Sequence, residues 1–164
     1  MRKLLLLLII PVFFSACKKE ETNKCTYTTP VSVAPASEVT FLQNWLASEG
    51  IQAIQDNSGL FYVINSPGAG ASPEVCKTID ASYTGKFLNG GIFETSPGST
   101  FLLGQLVDGW QIGLPKIKSG GSITLYIPPT LGYGNREIRD QNGSVRIPAN
   151  SYLIFTIQVT QVNE

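Results

Sequence analysis

Phe101-Leu102-Leu103-Gly104-Gln105-Leu106-Val107-Asp108-Gly109-Trp110 is the stretch whose reading decides the fold. It is apolar, turns at Gly109 and delivers a Trp into the opening of a short helix. Segments on both sides of it read as strands able to wrap around that indole. Two landmarks belong with it: Tyr83-Thr84-Gly85 at the end of one expected strand, and Ile127-Pro128-Pro129 with Tyr133-Gly134 after another. Together they predict an apolar pocket with Trp110 as its floor and tyrosine hydroxyls at its edge. Such a pocket suits a planar, uncharged, apolar group.

A chain of 164 residues can build one core of useful size plus appendages. Its 16 Gly and 10 Pro, with short apolar runs between them, favour strands and turns over a helical bundle. Basic and acidic residues balance at 12 each; removing Arg2 and Lys3 with a cleaved leader leaves 10 basic against 12 acidic. No basic patch is visible, so nucleic acid is not an expected partner. The chain has no His and three scattered Cys, which leaves little for metal catalysis or for Cys–His and Ser–His chemistry. No cofactor is implied.

Arg2 and Lys3 precede an apolar run from Leu4 to Phe14, interrupted by Pro11. The run is too short to span a bilayer as a mature helix and has the layout of a secretory signal. It ends in Phe14-Ser15-Ala16-Cys17, which resembles the lipobox of bacterial lipoproteins, with Phe14 where Leu is commoner. That resemblance implies cleavage before Cys17 and lipidation of its thiol. The mature protein would be extracytoplasmic, lipid-anchored to the bacterial outer membrane on its periplasmic or surface face. An ordinary secretory signal with an unmodified Cys is the alternative. Lys18-Lys19-Glu20-Glu21 resembles the sorting signals of surface-displayed lipoproteins, although a solvated tether explains it equally well. Cys25 and Cys76 then remain in an oxidising compartment, where a pair tends to close. A bridge between them stabilises by about 4 kcal/mol at most; two free thiols are the alternative.

The chain divides into a signal peptide (1–16), a flexible tether (17–36), an amino-terminal helix with its connector (37–58) and a main domain (59–164). Thr, Ser, Pro and Ala dominate residues 18–36, a composition that buries little. Ser37 offers a helix N-cap, with Glu38 at the positive end of the dipole and Gly50 as the stop. Val39, Leu42 and Leu46 share one face of that helix, with Phe41 and Trp45 beside it. Strands are expected at Leu60–Ile64, Val75–Thr84, Ser122–Ile127 and Tyr152–Val162, with an Asn89-Gly90-Gly91 hairpin turn before Phe93. Cys76 lies on the second of these, alternating with Tyr83 so as to face away from the pocket. One-sided alternation predicts an antiparallel sheet with one covered face. Asn135–Arg146 reads as a long polar surface loop.

Taken in order, Tyr83-Thr84-Gly85, Asn89 to Glu94, Phe101 to Trp110, Gly113-Leu114, Gly120-Gly121, Ile127 to Gly134, Ile147 to Ser151 and Leu153-Ile154-Phe155 form a highly specific series. Over roughly residues 59–162 the chain resembles an FKBP-type peptidyl-prolyl cis–trans isomerase. The resemblance implies an α+β fold, a twisted antiparallel half-barrel sheet wrapped over one short helix, here with an added N-terminal helix. It implies an enzyme that rotates X–Pro bonds, acting on unfolded or client proteins as a monomer, with macrolides as candidate inhibitors. The residues it assigns to catalysis are Tyr83, Glu94, Val107 and Tyr133. Substrate binding falls to Phe93, Leu106, Trp110, Ile147 and Phe155. Trp110 is expected to floor the prolyl slot, Phe93 and Phe155 to wall it, and the Val107 amide to meet a substrate carbonyl. Singly, each of these residues also reads as plain core or a solvated edge; their joint placement favours a site. Glu94 departs from the family's usual Asp, Gly98-Ser99-Thr100 lacks an aromatic many members carry, and the 135–146 segment is long and charged. A non-catalytic proline-binding or chaperone module, and a surface protein binding glycans or partner proteins through exposed aromatics, are the alternatives in other classes.

Overall fold

Alternating side chains turn the central segments into strands whose apolar face has one place to go. The computed structural model describes residues 25–163; the expected signal peptide, the lipidation site Cys17 and the Lys18–Glu21 run lie outside the described residues. A first helix, α1 (Ala36–Ser48), precedes β1 (Ile54–Gln55), β2 (Phe61–Ser66), β3 (Thr78–Phe87) and β4 (Ile92–Leu102). A one-and-a-half-turn helix, α2 (Asp108–Gly113), leads to β5 (Ser122–Ile127), then β6 (Ile138–Arg139), β7 (Val145–Ile147) and β8 (Leu153–Asn163). Six strands form one antiparallel sheet in the order β1-β2-β5-β8-β3-β4, open at both edges, while β6 and β7 form a separate ribbon.

The inner face is built from Ile79 and Ala81 of β3, Ile123, Leu125 and Ile127 of β5, and Leu153, Phe155, Ile157 and Val159 of β8, all buried. Helix α2 lies against this face. Gly109 and Gly113, four residues apart, share the helix side turned to β5. A Cβ on Gly109 would sit 2.7 Å from Ile127 Cδ1, and one on Gly113 would sit 2.5 Å from Leu125 Cδ2. The helix backbone therefore rests on the sheet, and Trp110 beside it is only 4% exposed.

The outer face is not left to solvent throughout, as one-sided alternation predicts. Leu42 and Leu46 of α1 bury against Phe61 and Tyr126, with Val39, Trp45 and Ile154 packed alongside. The helix starts two residues earlier than a Ser37 cap predicts, and Ser37 does not cap it. Pro35 holds the N-cap position, and its carbonyl accepts from the Glu38 and Val39 N–H groups at 3.0 and 3.2 Å. Glu38 instead reaches Thr130, accepting from its N–H and its hydroxyl at 2.9 Å each. Gly50, at φ 68°, ends the helical stretch as expected.

Several boundaries move. Strand β3 begins at Thr78, so Cys76 sits in the preceding turn and not on a strand. The first main strand, β2, begins at Phe61 and ends at Ser66, with β1 paired outside it. Strand β4 continues past Phe93 to Leu102, carried through Pro97 by a bulge between the Tyr83–Ser96 and Ala81–Ser99 pairs. As an edge strand it tolerates the missing proline N–H. Within the 135–146 segment, β6 and β7 pair around a turn at Asp140–Gly143, so a ribbon stands where a loop is expected. Residues 25–35, expected to be tether, lie against the domain: Ala34 is buried and its N–H donates to the Ser58 carbonyl at 2.8 Å. Cys25 and Cys76 are joined by a disulfide with Cα atoms 5.7 Å apart. Among the described residues, no helix is long and apolar enough to cross a membrane.

Replacing Gly113 by Ala sets two effects against each other. Helix propensity favours Ala by about 1 kcal/mol, whereas overpacking a buried contact costs about 1–3 kcal/mol. Leu125 is fully buried and has no room to yield. Gly113→Ala is therefore expected to lower the urea midpoint; an unchanged or higher midpoint would show that α2 does not rest on β5.

Candidate active site

Between α2 and the inner face of the sheet lies a pocket of about 140 Å³ lined by Tyr83, Glu94, Phe101, Gln105, Leu106, Val107, Trp110, Tyr133 and Phe155. Pockets for drug-sized ligands run to roughly 300–1,000 Å³, so this one suits a single ring or side chain. Its floor and walls are rings at steep angles to one another. Tyr83 meets Trp110 at 5.2 Å and 89°, Trp110 meets Phe155 at 5.3 Å and 82°, and Phe101 meets Trp110 at 6.1 Å and 69°. Edge-to-face contacts of this kind contribute about 0.5–1.5 kcal/mol each beyond burial.

Local structure explains how each side chain arrives. Tyr83 occupies an inner-face position of β3, two residues beyond Ala81, and pairs with Ile157 of β8. Phe155 pairs with Leu125 on one side and Gly85 on the other. A Cβ on Gly85 would lie 2.5 Å from the Phe93 ring and 3.0 Å from that of Phe155, so the missing side chain is what lets both aromatics cover this strand. Tyr133 follows a tight turn after Pro128-Pro129, closed by the Gly134 N–H donating to the Pro129 carbonyl at 2.8 Å. Leu106 and Val107 are extended residues between the 3-10 turn at Leu103–Gln105 and α2. The Val107 N–H has no hydrogen-bond partner among the described residues.

The rim is polar. Arg146, from β7, pairs with Glu94 of β4 at 3.2 Å. Burial, then the charge and hydrogen bonding of Glu94, push the Tyr83 phenol up to about 12. Burial, then Glu94, also raises Tyr133, with Arg146 and Arg136 pulling the other way. Both hydroxyls are therefore neutral donors throughout the physiological range.

Of the nine residues expected here, Tyr83, Glu94, Leu106, Val107, Trp110, Tyr133 and Phe155 are brought together on the pocket. Phe93 and Ile147 are not on its lining. Phe93 backs Phe155 at 5.5 Å and stacks toward Phe87 at 5.0 Å, while Ile147 is fully buried in the core. The second aromatic wall is Phe101, which in the sequence alone is only the start of the deciding stretch. Gln105 and the Glu94 partner Arg146 were also missed. The signal for Phe101 was its two-residue spacing from Leu103, legible only once β4 is known to extend that far.

An antiparallel sheet curled over a short helix, with an aromatic pocket between them, is the architecture these residues build. A family model described as FKBP-type peptidyl-prolyl cis-trans isomerase matches residues 70–160. The chain belongs to the FKBP-type peptidyl-prolyl cis–trans isomerase family. It is 41% identical over 110 residues to a probable FKBP-type peptidyl-prolyl cis-trans isomerase of Haemophilus influenzae, covering 65% of this chain and 44% of that protein. It is 34% identical over 153 residues to FkpA of Buchnera aphidicola subsp. Acyrthosiphon pisum, covering 88% of this chain and 61% of that one. Among solved structures, FkpA from Escherichia coli superposes with a TM-score of 0.65 at 30% identity over 78% of this chain and 58% of that one. AtFKBP13 superposes at 0.61 with 33% identity, over 67% of this chain and 98% of that one. The chain thus spans between 42% and 61% of the length of the first curated relatives it matches.

The raised phenol gives a direct test. The folded value of Tyr83 lies above the ordinary 10, so the neutral form is the one the fold favours. Its contribution to stability is present at and below pH 10 and is lost as pH rises through about 12. A difference titration of phenolate absorbance between wild type and Tyr83→Phe should place the missing ionisation near pH 12. Ionisation near 10 would show that Tyr83 is not held in the buried corner.

Proposed function

We propose that the protein is a peptidyl-prolyl cis–trans isomerase that rotates X–Pro bonds in unfolded or client proteins outside the cytoplasm. The observation that carries the reading is the pocket itself, an aromatic floor and walls with phenol donors at the mouth, in a chain of this family. Resonance resists rotation about the peptide bond by about 18–20 kcal/mol, and unaided X–Pro exchange takes tens of seconds or more. Water stabilises the charge-separated planar imide, so an apolar, aromatic slot weakens the double-bond character. Donors placed for the twisted imide then bind the transition state better than either planar isomer. A hundredfold acceleration needs only about 2.7 kcal/mol of such differential binding.

In this reading the prolyl ring rests on Trp110 between Phe155 and Phe101, with Leu106 at the edge and Phe93 and Ile147 as backing. The Val107 amide donates to a substrate carbonyl, and the Tyr133 hydroxyl to the carbonyl of the twisting imide. Tyr83 and Glu94 fix the polar corner, Arg146 holding the carboxylate in place. Macrolides are candidate inhibitors of the same slot. A lipid on Cys17 would tether the domain to the bacterial outer membrane, with the domain working as a monomer. The Cys25–Cys76 bridge suits such an oxidising compartment.

The test is cis–trans exchange of a short X–Pro peptide with the mature chain, followed by a protease-coupled assay. Catalysis is expected, and a rate equal to that in buffer removes the enzyme reading in favour of a binding module. Tyr133→Phe deletes one donor and is expected to lower kcat/KM by roughly two- to tenfold, the worth of a single hydrogen bond, with the urea midpoint unchanged. Full activity in that variant would remove Tyr133 from the mechanism.

A further inference from the structure

The edge of the pocket is the stretch from Leu103 to Val107, a 3-10 turn followed by two extended residues, and it is held from two sides. From within, the buried Gln111 amide donates to the Leu106 carbonyl at 2.6 Å and the Gly104 carbonyl at 3.4 Å. From outside, it is held by a residue of the amino-terminal arm. The ring of Tyr27 lies so close over Gly104 that a Cβ there would be 2.5 Å from its Cγ. The Gln105 amide donates to the Tyr27 hydroxyl at 3.1 Å. Gln105, Leu106 and Val107 line the pocket; Tyr27 does not.

The arm is anchored at both ends of this contact. Two residues before Tyr27, Cys25 is bonded to Cys76. The segment around Cys76 is tied to the same edge, since the Val75 and Lys77 carbonyls accept from the Gly104 and Leu103 N–H groups at 2.9 and 3.1 Å. Further along, the Ser32 hydroxyl donates to the carboxylate of Asp108, the residue that follows Val107. Loop backbone at a glycine has wide conformational freedom, and Gly104 is where the outer brace presses. An arm whose composition reads as linker is therefore part of the pocket's support.

We infer that Tyr27 is a positioning residue for the pocket, setting the placement of Gln105, Leu106 and Val107 from outside. Its consequence for catalysis rests on the isomerase reading above; its consequence for the pocket edge does not. The experiment measures both on the full chain, with Tyr27→Ala and with Tyr27→Phe, which keeps the ring and removes the hydroxyl. In ligand-free protein, exchange of the hydrogen-bonded Gly104 and Leu106 amides should rise about tenfold in Tyr27→Ala and by less in Tyr27→Phe, with the β5 and β8 amides unchanged. In the peptide assay, kcat/KM of Tyr27→Ala should fall about tenfold, mainly through KM, and Tyr27→Phe should recover most of it. Unchanged exchange at Gly104 and Leu106 in both variants overturns the inference. So does a rise spread equally over β5 and β8, which marks a merely structural residue. Should Tyr27→Ala not fold, the exchange of Tyr27→Phe decides alone. A wild-type chain without isomerase activity removes the functional reading, while exchange at the pocket edge still reports on Tyr27.

Discussion

The distance between α2 and β5 is the constraint on which the rest depends. Two glycines on one side of a six-residue helix let backbone, in place of side chains, rest on Ile127 and Leu125. That approach fixes how deep Trp110 sits between the helix and the inner face. With the indole at that depth, Tyr83 and Phe155 meet it nearly at right angles, and Phe101 closes a third side. Perpendicular rings cannot fill the corner they make, so a small apolar space remains. The pocket is a consequence of close helix seating combined with aromatic residues too rigid to collapse into it.

The rim balances charge so that its hydroxyls stay useful. Glu94 alone beside two phenols would leave an unneutralised carboxylate at the mouth of an apolar slot. Arg146 meets it at 3.2 Å, with both side chains partly exposed, a pair that contributes little to stability. Its effect is positional: it joins the β6–β7 ribbon to the edge strand β4 across the pocket mouth. Burial and the remaining negative field keep Tyr83 and Tyr133 protonated, hence able to donate. Glu38 makes a comparable tie on the far side, binding the Thr130 turn that delivers Tyr133.

What could be read from the residues follows from which forces act locally. Alternation in Ile123-Leu125-Ile127 and Leu153-Phe155-Ile157-Val159 reports burial directly, so β5, β8 and the inner face were legible. Seven of the nine expected site residues come together because they sit on those strands, on β3 or β4, on α2 or on the ordered turns next to them. Pro97-Gly98 hides the continuation of β4, since a bulge is a property of two paired strands and not of one segment. The β6–β7 ribbon was invisible for a related reason: strands of two and three residues carry too few positions to show a period. Ser37 has the right chemistry for a cap, but Pro35 starts the helix earlier through its fixed φ of −62° and a carbonyl free to accept. The arm at 25–35 looks like linker because, apart from the disulfide its cysteine announces, its anchors are a few specific contacts that leave no compositional trace.

Those anchors make sense beside the backbone they support. Val107 lines the pocket with an N–H that has no partner among the described residues. A strand or a full helical turn at this point would satisfy that donor internally and remove it from the pocket. Irregular backbone keeps the donor available, but irregular backbone has no ladder of its own to hold it still. Side chains must therefore do what secondary structure does elsewhere. Gln111 binds the carbonyls of the edge from inside and Tyr27 covers Gly104 from outside. The Val107 donor and the stapled arm on the other side of Gly104 are two parts of the same arrangement.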